Sequence, residues 1–464
     1  MKTEKREFVI YASLALVAAF IYYRRFLDNF FVMDDFKYLE NMFAGPLSVI
    51  LGYGNLRVVS NVAWWPLYEL SGLNPFLYNL FGVVMHAANS ALFSLLVLQL
   101  LKDRTLAMVS GAVFLLNAVG CDALFWKAAN NTLIDLFFYL TALCLYVIYR
   151  QEGSSKFFVL SIGAYVLAIF SKEDAASLPF IIVLMELVFF SRFRDMKGIV
   201  LRTAPYIVAV LVYIVAGRVI FNYMLQSSVE HARFFKIRPL YSLLAGWTVF
   251  FLSPDGRLSL DSPAPYVTIL FIATSFAWVK DKKLLLLGYG WIFFGFLPQS
   301  VASHGQLEPT YIINSISRYL YLPSAGAALI LGAVVLSVRD RFPGKIGFAV
   351  AALFFCLFVP LNYGRVQARG LEWQQAGEPT ARFLKAIKHS MPYFPPDSHI
   401  FIVNAPGGRA FMQQSLRAFY GDPGITWISN PATYRRKPGE NAFLIICAWK
   451  DNGEDVDLEI RQFP

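Results

Sequence analysis

Runs of about 18 or more apolar residues recur along this chain, and that recurrence limits its possible folds more than any other feature. A run of that length crosses a bilayer as a helix, because a helix satisfies every backbone N–H and C=O within itself. Such runs centre near 8–26, 76–101, 105–120, 130–149, 156–171, 175–191, 203–221, 265–279, 284–298, 319–338 and 346–362, about eleven in all. Composition agrees. The 464 residues are 57% hydrophobic and only 16% charged, a balance that the surface of a soluble protein of this length does not tolerate. The expected fold is an all-α polytopic membrane protein with a small C-terminal α/β domain.

Charge sets the expected orientation. The net charge of +10 does not call for nucleic acid, because much of the excess lies in short loops between apolar runs. Those loops carry Lys102 and Arg104; Arg150 and Lys156; Arg192, Arg194 and Lys197; Lys280, Lys282 and Lys283; and Arg339, Arg341 and Lys345. They should be cytoplasmic. The N-terminus, with Lys2, Lys5 and Arg6 before an uncleaved first helix, joins them. Arg24 and Arg25 run against this pattern and are read as snorkelling to headgroups. The run PLYSLLAGWTVFFL (239–252) is short for a span and reads as an interfacial or re-entrant helix on the outer face. The four cysteines, Cys121, Cys144, Cys356 and Cys447, are scattered and suggest neither a disulfide framework nor a metal knuckle.

Two parts divide the chain. Residues 1–363 form the membrane part, with a long first outer loop at 28–75. Residues 364–464 are irregular in spacing and rich in Pro and Gly, and they are expected to form a small soluble extracytoplasmic α/β domain. Within it, AGEPTARFLKAIKHS reads as an amphipathic helix. HIFIVNAP and AFLIICAW read as buried strands.

Outer-face charges should converge. The first loop carries Asp28, Asp34, Asp35, Glu40, Arg57 and Glu69. Later turns add Asp122, Lys127, Lys172, Glu173 and Asp174. The 222–264 loop holds His231, Arg233, Lys236 and Arg238, and Arg318 closes the 299–318 loop. Acids and bases gathered at a membrane boundary suit a phosphate-bearing substrate that must also lose a proton. In FVMDDFKYLE, Asp34 and Asp35 cannot occupy equivalent positions, since adjacent side chains diverge on a helix or a strand. One is a plausible general base. The alternative is that either acid caps the helix beginning FKYLENMF.

The ordered motifs resemble a known superfamily. DDFKYLE just after the first helix is similar to the first-loop motif of GT-C glycosyltransferases, which include protein O-mannosyltransferases and lipid A aminoarabinose transferases. NPFLYNLFGVVMHAANSALFSLL, SKEDAASLPFIIVLMEL and SRYLYLPSAGAALILG resemble segments of the tetratricopeptide-containing transmembrane O-mannosyltransferases and their bacterial relatives. Together these matches cover most of residues 1–340. The resemblance implies a GT-C fold and transfer of a sugar, mannose or a similar hexose, from a polyprenyl-phosphate carrier to an extracytoplasmic hydroxyl, with inversion. It implies Asp34 as the base and Asp35 in support. It implies a donor phosphate held by Arg318 and Arg57, with Tyr319 or Tyr321 nearby; the alternative for Arg318 is a snorkelling anchor at the outer surface. Val58 stands where the family has Pro after the first-loop basic residue. Lys172 and Glu173 match Ser-Lys-Glu, although an ion pair explains them equally. Asp122 is either a second site carboxylate or a turn residue. His86, mid-helix, reads chiefly as a packing hydrogen bond. Asn130 and Thr132 replace an Arg and an Asp of the tetratricopeptide-containing relatives.

No cofactor is expected. The alternative within the enzyme class is Mg²⁺ or Mn²⁺ on Asp34, Asp35 and Asp122. The expected partners are a polyprenyl-phosphate-linked sugar, a protein, glycan or lipid acceptor, and membrane lipid, with no nucleic acid. The expected location is the plasma (inner) membrane, with the site on its extracytoplasmic face. Rival functions are a lipid-linked sugar flippase, which would need charges along a midplane path, and a non-catalytic glycan-assembly subunit.

Overall fold

A computed structural model describes residues 2–43, 45–51, 54–191, 195–221, 264–302, 317–342, 344–450 and 455–463. The 239–252 segment and the charged residues of the 222–264 loop lie outside the described residues.

Every expected span coincides with a helix. In chain order these are α1 (Lys2–Tyr23), α5 (Phe76–Leu101), α6 (Arg104–Leu116), α8 (Asn131–Glu152), α9 (Ser155–Ile169), α10 (Leu178–Met185), α11 (Met196–Phe221), α12 (Ala264–Trp278), α13 (Lys282–Ala302), α14 (Tyr321–Arg341) and α15 (Lys345–Ser390). Short helices α2 (Asp35–Phe43), α3 (Pro46–Leu51) and α4 (Val58–Ser71) fill the first loop, and α7 (Asp122–Phe125) forms a single turn. Among the described residues, six helical segments are long and apolar enough to cross a membrane. Local chemistry sets the ends. The Asp103 carboxylate accepts the Leu106 N–H at 3.0 Å and opens α6, while Gly153, with φ +74°, closes α8.

The 175–191 run changes winding along its length. It begins as a 3₁₀ turn (Glu173–Ser177), continues as α10 and ends as a π turn (Glu186–Phe190). The π turn carries Glu186 inward, where it accepts from Tyr146 Oη at 2.6 Å and pairs with Arg150 and Arg202. That buried acid with two guanidiniums ties α8, α10 and α11 together. Elsewhere, small residues let helices meet. A Cβ on Gly326 of α14 would stand 2.5 Å from the Gly288 carbonyl oxygen of α13, so only glycine permits this crossing.

The longest helix, α15, runs unbroken through residue 364. At about 1.5 Å per residue it is roughly 69 Å long, twice a bilayer core. AGEPTARFLKAIKHS is therefore its last four turns. Beyond it lie β1 (His399–Val403), α16 (Arg409–Tyr420), β2 (Thr426–Trp427), β3 (Ala442–Trp449) and β4 (Val456–Gln462). The sheet order is β2-β1-β3-β4, with β1 parallel to β2 and β3, and β4 antiparallel to β3. The two strands read from sequence are β1 and β3. This sheet shares one hydrophobic core with the first loop: Phe31, Phe36, Leu39 and Trp64 pack with Phe383, Ile400, Met412 and Leu416. Arg417 of α16 pairs with Glu40 of α2 at 2.8 Å across the join.

Candidate active site

The site is built where the chain leaves α1. After Phe26 it turns across α15, where Asn29 Nδ2 donates to the Gly370 carbonyl at 3.1 Å. A Cβ on Gly370 would stand 2.5 Å from the Phe26 ring, so the close approach requires glycine. Met33, with φ +47°, reverses the chain into α2.

Asp34 and Asp35 then part company. Asp35 is fully buried. Its Oδ2 accepts the Val32 N–H at 2.9 Å and its Oδ1 accepts the Ala128 N–H at 2.6 Å. Burial pushes its carboxyl up to about 6, against the downward pull of the nearby Lys127 charge and the two N–H donors. Lys127 donates in turn to the Phe30 carbonyl at 3.0 Å. Asp35 therefore pins the first loop to the 122–131 turn. Asp34 opens α2 through its backbone, its carbonyl accepting from Lys37 and Tyr38. Its carboxylate is half-buried, bonds to no other described residue and lines a cavity of about 70 Å³.

That cavity gathers residues from four parts of the chain. Asp34, Tyr38 and Arg57 come from the first loop; Trp126, Ala128 and Ala129 from the turn before α8, with Asn131 opening that helix; Lys172 from the SKED turn; and Arg318 and Tyr319 from the start of the α14 run. Its three cations are held differently. Arg57 makes a forked ion pair with Glu173 at 3.0 and 2.5 Å. Burial raises the Glu173 carboxyl, but Arg57 outweighs it and holds it down at about 2. Lys172 is buried, donates to Thr132 Oγ1 at 2.9 Å and pairs with Asp174 at 2.7 Å. Arg318 is held by rings instead. Its guanidinium carbon lies 4.5 Å from the ring centres of Trp126 and Tyr319, and Nη2 donates to the Tyr319 hydroxyl at 2.9 Å. It has no carboxylate partner among the described residues.

Of the residues expected in the site, Asp34, Arg57, Lys172, Arg318 and Tyr319 line the cavity, and Glu173 stands behind Arg57. Asp35 supports it through the Ala128 backbone. Tyr321 and His86 meet elsewhere, inside the helix bundle. His86 Nε2 faces the Leu115 carbonyl at 3.0 Å, so it carries the proton, and Nδ1 accepts from Tyr321 Oη at 2.7 Å. Asp122 is buried against α15, where it accepts from Arg369 at 2.7 and 3.2 Å and from Trp373 Nε1 at 2.7 Å. The three carboxylates weighed as metal ligands thus do not meet, and no group of three His, Cys, Asp or Glu side chains suited to a metal forms among the described residues.

Sequence reading missed Trp126, Tyr38 and Asn131 as cavity walls, and it missed Asp135. Asp135 is fully buried on α8, one turn below Asn131, and neither oxygen has a hydrogen-bond partner among the described residues. An acid inside the apolar run NTLIDLFFYL was the available signal.

No protein-family model matches the chain, and no curated protein sequence does. Solved structures do. The archaeal oligosaccharyltransferase AglB from Archaeoglobus fulgidus, in complex with an inhibitory peptide and a dolichol-phosphate, is 11% identical over 91% of this chain, with a TM-score of 0.49. The Archaeoglobus fulgidus oligosaccharyltransferase in complex with Zn and sulfate is 11% identical over 90% of this chain, with a TM-score of 0.50. This chain spans 64% and 62% of those two chains. At such identity the likeness is one of fold alone.

Proposed function

We propose that this protein is an integral-membrane glycosyltransferase. It moves a sugar, mannose or a similar hexose, from a polyprenyl-phosphate carrier to a hydroxyl of a protein, glycan or lipid acceptor. The reaction is placed at the extracytoplasmic face of the plasma (inner) membrane. The observation that carries this reading is the shared cavity: Asp34 and three cations, one of them free of any described carboxylate, line the same small space.

The chemistry needs little more. The acceptor oxygen attacks the anomeric carbon as Asp34 takes its proton. The bond from that carbon to the phosphate oxygen breaks, and its electron pair leaves with the carrier phosphate. A single displacement inverts the anomeric centre. Arg318 binds the departing phosphate, while Arg57 and Lys172, each already paired with a carboxylate, line the cavity beside it. Many membrane helices suit this task, because the prenyl chain stays in lipid while its head reaches the cavity. The first loop and residues 364–464, whose core is shared, frame the acceptor side.

The test is a panel of polyprenyl-phosphate sugars incubated with the purified protein and simple hydroxyl acceptors, with carrier phosphate and glycosylated product followed together. Consumption of one donor with equal product is expected. Movement of the lipid-linked sugar across vesicle bilayers without bond cleavage would replace the enzyme with a flippase.

A further inference from the structure

We propose that Trp373 is a positioning residue for the donor phosphate: acting through Trp126, it fixes the Arg318 guanidinium in the cavity wall. This rests on the phosphate-binding role given above to Arg318, and it assigns a part in that role to the helix leading into residues 364–464.

Arg318 has a long side chain on a 3₁₀ turn (Ser317–Leu320) and no described carboxylate to hold its fork. Among the described residues, ring contacts and the hydrogen bond to the Tyr319 hydroxyl set its direction. Trp126 supplies one of them, at 4.5 Å, and Trp126 in turn stacks on Trp373, with ring centres 5.8 Å apart and planes 23° from parallel. Trp373 belongs to α15 and is itself firmly held. It is 8% exposed, and its Nε1 donates to Asp122 Oδ1 at 2.7 Å. Arg369, one turn earlier, forks onto the same carboxylate and lies over the Trp373 ring at 5.5 Å.

Asp122 and Trp126 bound one tight turn, since the Trp126 N–H donates to the Asp122 carbonyl at 3.0 Å. The long helix therefore grips that turn twice, by an ion pair at Asp122 and by a stacked ring at Trp126. The same turn continues into Ala128, whose N–H holds Asp35. A shift of Trp373 would move the surface on which the guanidinium lies. The stacked-ring chain carries no charge of its own, so its effect on an anion should pass through Arg318 alone.

A double-mutant cycle on full-length protein tests this, with binding of a polyprenyl monophosphate as the readout. Trp373→Leu keeps apolar bulk and removes the ring. It should weaken binding about two- to thirtyfold, the range of a cation–π contact converted to affinity. Trp373→Phe, which retains a ring, should recover most of that loss. Arg318→Ala should weaken binding further, and Trp373→Leu should then add nothing. Losses that simply add, or wild-type binding by Trp373→Leu, would overturn the positioning role and leave the phosphate seat standing. Wild-type binding by Arg318→Ala would remove the seat and the positioning role together. If Trp373→Leu does not accumulate, Trp126→Leu enters the same cycle, where additivity with Arg318→Ala again overturns the inference.

Discussion

The neighbouring carboxylates Asp34 and Asp35 should fail in different ways when each is replaced by asparagine. The amide nearly matches the carboxylate in size but cannot take a proton. The Asp34 side chain bonds to no described residue and borders the cavity, so Asp34→Asn removes no hydrogen bond or ion pair made among the described residues. Its stability should stay within about 0.5 kcal/mol of wild type. Transfer should fall about 10²–10⁴-fold, the usual contribution of a positioned base. Asp35 accepts two backbone N–H groups with two oxygens, at 2.9 and 2.6 Å. Asparagine offers one oxygen, and its NH₂ would face a second donor. One buried N–H is left unpaired, at a cost of about 1–3 kcal/mol, and Lys127 loses the charge beside it.

Two assays separate these outcomes. Thermal unfolding in detergent should place Asp34→Asn beside wild type and Asp35→Asn clearly below it. Single-turnover transfer, measured well below either midpoint, should be all but lost in Asp34→Asn and mostly retained in Asp35→Asn. Full transfer by Asp34→Asn would refute the base. Unchanged unfolding of Asp35→Asn would refute the account of Asp35 as the pin between the first loop and the 122–131 turn.

Three further outcomes follow from the same geometry. Arg318→Lys should bind carrier phosphate less well than wild type in an affinity titration, because an ammonium lacks the planar fork that lies on Trp126 and Tyr319. The Glu173 carboxyl sits at about 2 in the fold against 4.5 ordinarily, so the stability it contributes is present above about 4.5 and is lost as pH falls through about 2. Glu173→Gln should accordingly be less stable than wild type near pH 6, and unfolding scans at stepped pH should show that gap narrowing in acid. In a Cys356→Ser background, a membrane-impermeant thiol reagent added outside intact cells should label a cysteine at 437 and miss one at 282; labelling at 282 would invert the topology proposed for the later spans.

The length of its apolar runs made the membrane part legible. Each apolar run became a helix because a spanning segment has few other ways to satisfy its backbone. Orientation around those helices was harder to read. Tyr319 and Tyr321 are two residues apart, which on a helical turn points them roughly 200° from each other. Tyr319 faces the cavity, and Tyr321 consequently faces inward to His86. Asp122 was read as a site acid or a turn residue, while its partner Arg369 lies 247 positions away, beyond the reach of local pattern. Asp135 was legible as a lone acid within the apolar run NTLIDLFFYL, the kind of residue that a span buries only at a cost.

The change in composition at residue 364 marks where α15 meets polar surroundings, and composition alone does not say whether a helix stops there. The helix continues because Gly370 and Gly377 let the 26–30 segment lie against it, and because its last turns bury Phe383, Leu384 and Ile387 in a core shared with the first loop. An appended module could tilt on a linker without disturbing the cavity. Here the sheet packs on α2 through α16, the Arg417–Glu40 pair closes the join, and α2 begins at the two acids. The same long helix holds Asp122 and Trp373, and so reaches the turn behind Arg318. Both sides of the cavity, the acid and the guanidinium, are thus braced by residues from the last hundred positions. Altering that region should change the chemistry at the cavity as well as the recognition of any acceptor.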